Sequence, residues 1–280
     1  MNIDKAIYSA TKILKMSNIK TAQLDSEILM SKVIKKDRKY IILNNTKKLE
    51  KRKKKYYDLL IRERSKGKPI AYLIGVKEFW KYIFYVNNNV LIPRPDSEIL
   101  VQNVLNLTKY KSQLNILDIG VGSGCILLSI LKEKKNFYGT GIDLSQKSLD
   151  ICKINGEKLK LKNKFKLFKS DIDNFHYGKY DLIISNPPYI NKLDLKYLDK
   201  DVLGFEPKIA LDGGLDGLSE IRKVINKSAE LLKRNGILVL EIGFNQKERV
   251  KRLLKKKQFY IKNVLKDFAN NDRCIISKKI

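Results

Sequence analysis

The sequence predicts an α/β protein in which a small helical bundle precedes a mostly parallel sheet of seven strands ending in an antiparallel hairpin. Three observations predict this. Up to about Lys68 apolar residues recur at helical spacing. Past Pro95 short apolar runs alternate with helical stretches, the rhythm of βαβ units. The last two apolar runs are joined by DFANND, a turn sequence suited to a hairpin at a sheet edge.

In the first segment Ile7, Ala10, Ile13 and Leu14 form one stripe and Leu24, Ile28, Leu29 and Val33 another. In a third, Tyr56, Leu59 and Leu60 recur at helical spacing, which puts the basic run Lys51 to Lys55 on a solvated face. After Gly67 and Pro69 the text turns aromatic and β-branched, FWKYIFYVNNNVLIP, with polar NNN between two apolar runs, and reads as a β-hairpin. The expected organisation is a helical domain over 1–68, a hairpin connector over 69–94 and an α/β domain over 95–280. Within the last, strands are expected at 115–119, 137–142, 165–168, 180–185 and 237–242, then 259–265 and 273–277.

Composition narrows the function. A hydrophobic fraction of 43% and a charged fraction of 31% fit a soluble globular protein, and no apolar run approaches the ~18 residues a membrane helix needs. The start, MNIDKAIYSATKIL, mixes charge with helical spacing and does not read as an export signal, so a cytoplasmic protein is expected; a monomer is expected as well. Cys125, Cys152 and Cys274 are far apart and odd in number, which fits reduced thiols and no cysteine metal site. His176 is the sole histidine, so no histidine metal site is possible; it reads as a surface or loop residue. The net charge of +28 would attract ribosomes, nucleic acid or acidic proteins, but lysine, isoleucine and asparagine abound throughout, more a coding bias than a shaped patch.

The chemistry lies in the second half. The strand ILDIG runs into VGSGC and then an apolar helix, setting Gly120, Gly122 and Gly124 at a strand-to-helix turn where backbone can approach a ligand. The spacing Gly-x-Gly-x-Gly differs from the dinucleotide fingerprint, so an adenosine ligand without a pyrophosphate fits better. Asp143 ends the next strand, nineteen residues past Gly124, where an acid can accept from both ribose hydroxyls. Asp118 is placed to face the amino group of a methionine moiety. After the apolar strand DLII comes Ser185-Asn186-Pro187-Pro188-Tyr189. Two prolines make a rigid turn with few free amides, from which the Asn186 side chain and the Pro187 carbonyl can accept from an incoming NH₂, while Tyr189 covers the planar group. An amide nitrogen is a poor nucleophile because its lone pair is delocalised, so positioning is most of the catalytic task. No general-base histidine is required.

ILDIGVGSG with NPPY resembles the class I methyltransferases that act on planar amino or amide nitrogens, with their Rossmann-like seven-stranded sheet. LIPRPDSE at Leu91 to Glu98, YLIGVKEFW at Tyr72 to Trp80 and FEP at Phe205 to Pro207 extend the likeness to the HemK/PrmC family, the peptide chain release factor N(5)-glutamine methyltransferases, over essentially the whole chain. The resemblance implies methyl transfer from S-adenosylmethionine, leaving S-adenosylhomocysteine, to the glutamine of the Gly-Gly-Gln motif in release factors. It places Gly120, Val121, Gly122, Ser123 and Gly124 in the cofactor loop, Asp143 on the ribose, Asn186 to Tyr189 on the glutamine, and Asp171 with the next residue beside the adenine. The family pattern has an aromatic there, whereas this chain has Ile172. The helical segment would recognise the release factor.

Other readings stay open at this level. An adenine-N6 nucleic-acid methyltransferase uses NPPY on an exocyclic amine, though nothing between the motifs looks like an inserted base-recognition domain. A ribosomal-protein glutamine methyltransferase, or an RNA-binding protein that kept the fold, would share much of the same text.

Overall fold

The computed structural model describes residues 1–280, in two compact units: Met1–Val76 with Asp199–Phe205, and Lys77–Leu198 with Glu206–Ile280. The first is helical, built from α1 (Ile3–Met16), α2 (Ala22–Ile34), α3 (Arg38–Leu43), α4 (Lys51–Ser65) and α5 (Ile70–Ile74). Asn2 and Asp37 cap α1 and α3 by accepting from the amides of Lys5 and Tyr40. The buried faces differ from the expected stripes. α1 buries Ile3, Ala6, Ala10 and Leu14 and leaves Ile13 48% exposed; α4 buries Tyr57, Leu60 and Ile61 and leaves Tyr56 and Leu59 exposed. The reason lies in α2, which buries Asp25, Ser26 and Glu27 beside Leu29, Met30 and Val33 and leaves Leu24 exposed. Arg64 Nε donates to Asp25 at 2.7 Å, the Tyr57 hydroxyl donates to the Ser26 carbonyl at 3.0 Å, and Arg38 pairs with Glu27. A core built partly of ion pairs does not follow an apolar stripe, so hydrophobic periodicity sets the seam one position off. Lys51 to Lys55 lie exposed or half-buried, as expected of a solvated face.

The hairpin, β1 (Val76–Phe79) and β2 (Tyr82–Tyr85), turns at Trp80 and Lys81 and not at the asparagines, which follow it. Trp80 takes the left-handed conformation, φ 58°, and its backbone amide donates to Glu98 at 2.8 Å while its indole donates to Glu133 at 3.1 Å. That unusual turn residue is held by these tertiary bonds, which the local sequence does not announce.

The chain continues through α6 (Glu98–Leu107), β3 (Asn115–Ile119), α7 (Cys125–Glu133), β4 (Tyr138–Asp143), α8 (Gln146–Lys158), β5 (Phe165–Lys169), β6 (Tyr180–Ser185), α9 (Lys200–Phe205), α10 (Ser219–Leu231), β7 (Leu232–Glu241), α11 (Lys247–Lys256), β8 (Phe259–Lys266) and β9 (Asp272–Lys279). α9 belongs to the helical unit, where Asp201 pairs with Arg64 at 2.9 Å. The remaining strands form one sheet in the order β5-β4-β3-β6-β7-β9-β8, parallel except for β9. Its central strands are apolar on both faces because both are covered. Ile116 joins the core cluster that takes in residues of α6, α7 and α8, and Leu117 and Ile119 join the one that takes in residues of α10 and α11. β7 starts at Leu232, five residues before the expected strand, since the exposed Lys233, Arg234 and Asn235 followed by a glycine read as a turn. The order reverses between β3 and β6, so their carboxyl ends part and leave the crevice in which α/β sheets bind ligands.

Candidate active site

A cleft of about 540 Å³ opens at the carboxyl ends of β3, β4 and β6, a size suited to a nucleoside-bearing ligand. One wall is the glycine loop. The amides of Gly120 and Val121 donate to the Ile142 carbonyl at 2.9 and 3.0 Å, which fastens the loop to the end of β4. Gly120 and Gly122 line the cleft; an added Cβ would meet nothing within 4 Å at the first and only the Gly120 carbonyl, 3.9 Å away, at the second. Side chains there would fill the cleft, so these two glycines form a cradle for a ligand held close to backbone. Gly124 differs. It has φ 79°, and an added Cβ would lie 2.6 Å from Cys152 Sγ and 2.7 Å from Leu128, so its smallness serves helix packing. Val121 and Ser123 are also buried away from the cleft, the first in the core and the second with its carbonyl bound by Asn155 at 2.8 Å.

Two acids stand beneath this wall. Asp143 lines the cleft and accepts from the amides of Gly122 at 3.0 Å and Ser145 at 2.9 Å, with burial raising its carboxyl pKa. A carboxylate has about four acceptor sites, so roughly two remain for hydroxyls of a ligand. Asp118 is only 2% exposed and does not line the cleft. Burial pushes its carboxyl up to about 7, opposed by the backbone amide of Leu127 and reinforced by the charge of Asp143. Asp171 and Ile172 line the cleft beyond β5, Ile172 with its face on the core, so an aliphatic surface stands where the family pattern has a ring.

The other wall is Asn186, Pro187 and Pro188, following β6. Ser185 ties that strand end to β3 through a 2.7 Å bond to the Ile119 carbonyl. Gln246 donates to the carbonyls of Tyr189 and Gly217, both at 2.9 Å, and accepts from the Gly243 amide at 2.9 Å. A Cβ at Gly213 would lie 2.9 Å from Tyr189 Cα, so the segment is gripped on two sides. Asn186 Nδ2 donates to Ser97 Oγ at 3.0 Å, leaving its Oδ1 as the free acceptor. Tyr189 does not line the cleft. Its ring packs on the core, its hydroxyl lies 3.4 Å from Glu241, and burial beside that carboxylate raises its pKa. His176 is exposed, faces Glu230 at 2.7 Å and does not line the cleft. The three cysteines are unpaired thiols, and no group of three or more His, Cys, Asp or Glu side chains is placed to hold a metal. No helix is long and apolar enough to cross a membrane.

Known proteins carry the same two parts. Residues 5–75 match the family described as PrmC N-terminal domain, and 95–200 match the methyltransferase small domain. A release factor glutamine methyltransferase of Buchnera aphidicola is 40% identical over 279 residues, covering 100% of this chain and 99% of that protein. The chain belongs to the release factor glutamine methyltransferase family. A Clostridium acetobutylicum protein of the same name is 37% identical, with 99% of this chain and 98% of that protein covered. Among solved structures, a methyltransferase from Pyrococcus furiosus aligns over 70% of this chain and 88% of its own with a TM-score of 0.53; at 18% identity the likeness speaks for the fold.

The family motifs meet in space as well as in text. Arg94 of LIPRPDSE donates to Glu206 of FEP at 2.5 Å, and the Ile92 amide donates to the same carboxylate at 3.1 Å. Leu91 and Pro207, beside those residues, both line the cleft. Sequence reasoning assigned no role to Ser97 or Glu241, which stand behind Asn186. Ser97 lies inside LIPRPDSE, and Glu241 is an acid ending an apolar strand at the sheet's ligand-binding edge, a signal that would have found it.

Proposed function

We propose that the chain transfers a methyl group from S-adenosylmethionine to the side-chain amide nitrogen of the glutamine in the Gly-Gly-Gln motif of peptide chain release factors. The observation that carries this reading is the cleft itself, with a glycine cradle on one wall and a free asparagine acceptor on a gripped proline turn on the other. When bound, S-adenosylmethionine supplies a methyl group on a positive sulfur, which keeps the electron pair of the broken bond. Gly120 and Gly122 admit the adenosyl group to the backbone, the spare acceptor sites of Asp143 take ribose hydroxyls, and Asp171 with Ile172 flanks the base. Asn186 Oδ1 and the Pro187 carbonyl accept from the two N–H bonds of the glutamine amide, which directs its lone pair across the cleft. Positive charge develops on that nitrogen as the new bond forms, and the two acceptors stabilise it until a proton leaves to solvent. Pro188 keeps the turn rigid, and Tyr189 acts from behind it. The helical domain, 1–68 with a connector over 69–94, is assigned to recognition of the release factor, and 95–280 to catalysis.

Radiolabelled methyl transfer to purified release factor, duplex DNA and total RNA tests this reading. Label on the release factor, lost when its glutamine is changed to alanine, is the expected result. Label on nucleic acid alone would replace it with adenine methylation.

A further inference from the structure

The side-chain amide of Asn186 can present either of two faces, and only one serves the reaction just described. Turned one way it offers Oδ1 to the incoming N–H bonds; turned over, it offers its own N–H groups, which face them unfavourably. We propose that Ser97 and Glu241 are positioning residues that fix Asn186 in the productive orientation through an ordered chain of protons. This rests on the proposed function.

The geometry sets the order. Glu241 ends β7, and β7 pairs with β6 so that Leu240 stands beside Ser185, which brings Glu241 next to Asn186. Ser97 comes from the turn before α6 and is 2% exposed. Its Oγ lies 2.7 Å from Glu241 Oε2 and 3.0 Å from Asn186 Nδ2. An ionised carboxylate only accepts, so the single proton of Ser97 must point at Glu241. The serine oxygen can then only accept from Asn186, and that leaves Oδ1 for the substrate. The other oxygen of Glu241 faces the Tyr189 hydroxyl at 3.4 Å, which is 3.4 Å from Arg273 Nη1; Arg273 is itself held on Asp267 at 2.9 Å. β9 sets Cys274 opposite Glu241, which brings Arg273 to this place.

The charge on Glu241 is thus the origin of the order, and it is finely balanced. Burial pushes its carboxyl up to about 7, Asp96 adds to the rise, and Ser97, Arg273 and Tyr189 oppose it. The other titratable neighbours are the thiols of Cys125 and Cys274, which burial keeps protonated, with Arg94 acting on Tyr189. Once protonated, Glu241 can donate to Ser97, whose own proton is then free to point at Asn186 and turn the amide over. The productive orientation is therefore held above about pH 7 and loosened below it.

Side-chain amide resonances of Asn186 in ¹⁵N-labelled protein, assigned by their loss in Asn186→Ala, read this order without substrate. In the wild type they are expected to shift with a midpoint near 7. Glu241→Gln and Ser97→Ala should abolish that titration, and Ser97→Thr, which keeps the hydroxyl, should preserve it. In methylation assays Ser97→Ala and Glu241→Gln should lose about 10- to 100-fold in kcat, with KM for release factor changed less than about threefold. Ser97→Thr should recover to within about threefold, and the rise of kcat through pH 7 should vanish in Glu241→Gln. Asn186 resonances indifferent to both Ser97→Ala and Glu241→Gln would overturn the inference, as would losses confined to KM. If wild-type protein shows the titration yet transfers nothing to release factor, the proposed function fails while the positioning of Asn186 stands.

Discussion

The two walls of the cleft are built in opposite ways. The glycine wall is local: Gly120 and Gly122 follow β3 and Asp143 ends the neighbouring parallel strand β4, and the loop is fastened by backbone amides bonding to Asp143 and to the Ile142 carbonyl. The turn wall is assembled from afar, since Ser97 and Glu241, 144 residues apart, meet behind Asn186, and Gln246 reaches Tyr189 across 57. A local wall can be written as a motif, whereas a distributed one exists only once the sheet has formed. The walls differ in kind as well: the first offers space and backbone, the second an oriented side chain.

Substitutions on either wall should therefore fail differently, and the largest expected effect is on the glycine side. Gly122→Leu places a branched side chain in open cleft, and cofactor affinity should fall on the order of 10³-fold by calorimetry. Unchanged affinity would remove the loop from the cofactor site. On the turn side, Asn186→Ala should lose roughly 10²- to 10³-fold in turnover, as for one deleted transition-state hydrogen-bond group, while cofactor affinity falls only a few-fold. Near-normal turnover would merge the two walls into one function. Asp143→Ala should weaken cofactor binding by roughly 10- to 100-fold, because it frees the Gly122 amide and removes the remaining acceptors. A turnover defect with intact binding would place Asp143 on the wrong wall.

The smallest effect is on stability. The Asp118 carboxyl is held near 7 in the folded chain, against the usual range near 4, so the folded state keeps its proton over that window. Stability from this group is complete below about pH 4 and is lost as pH rises through about 7. Asp118→Asn removes the buried charge and keeps an acceptor for the Leu127 amide, so the ligand-free protein should melt about 2–5 °C higher at pH 8. No rise in a melting curve would mean that the charge is compensated.

Much of the catalytic unit was legible. Asn115–Ile119 and Tyr180–Ser185 were bounded as expected because each is a buried apolar run with a breaker at its end. Gly120, Gly122, Asp143, Asp171, Ile172, Asn186, Pro187 and Pro188 do gather on one cleft. What escaped was tertiary. Gly124 and Val121 look like loop ligands until their packing against Cys152, Leu128 and Gly141 is known. Tyr189 reads as a lid over the substrate until its ring is found packed against the core, off the cleft. In the helical unit, nothing in the sequence marks Asp25 and Arg64 as buried partners, and only their pairing reveals why the stripe was misplaced. The Trp80 turn depends on Glu98 and Glu133, residues outside its own hairpin.

The central claim is that the two walls face each other across a single reaction site. A crystal structure with S-adenosylhomocysteine and a Gly-Gly-Gln peptide tests it most directly. The expected result is the sulfur beside Gly120 and Gly122, the glutamine nitrogen bonded to Asn186 Oδ1, and an open line between sulfur and nitrogen. A peptide bound outside the cleft, or a glutamine nitrogen that Asn186 does not touch, would contradict it.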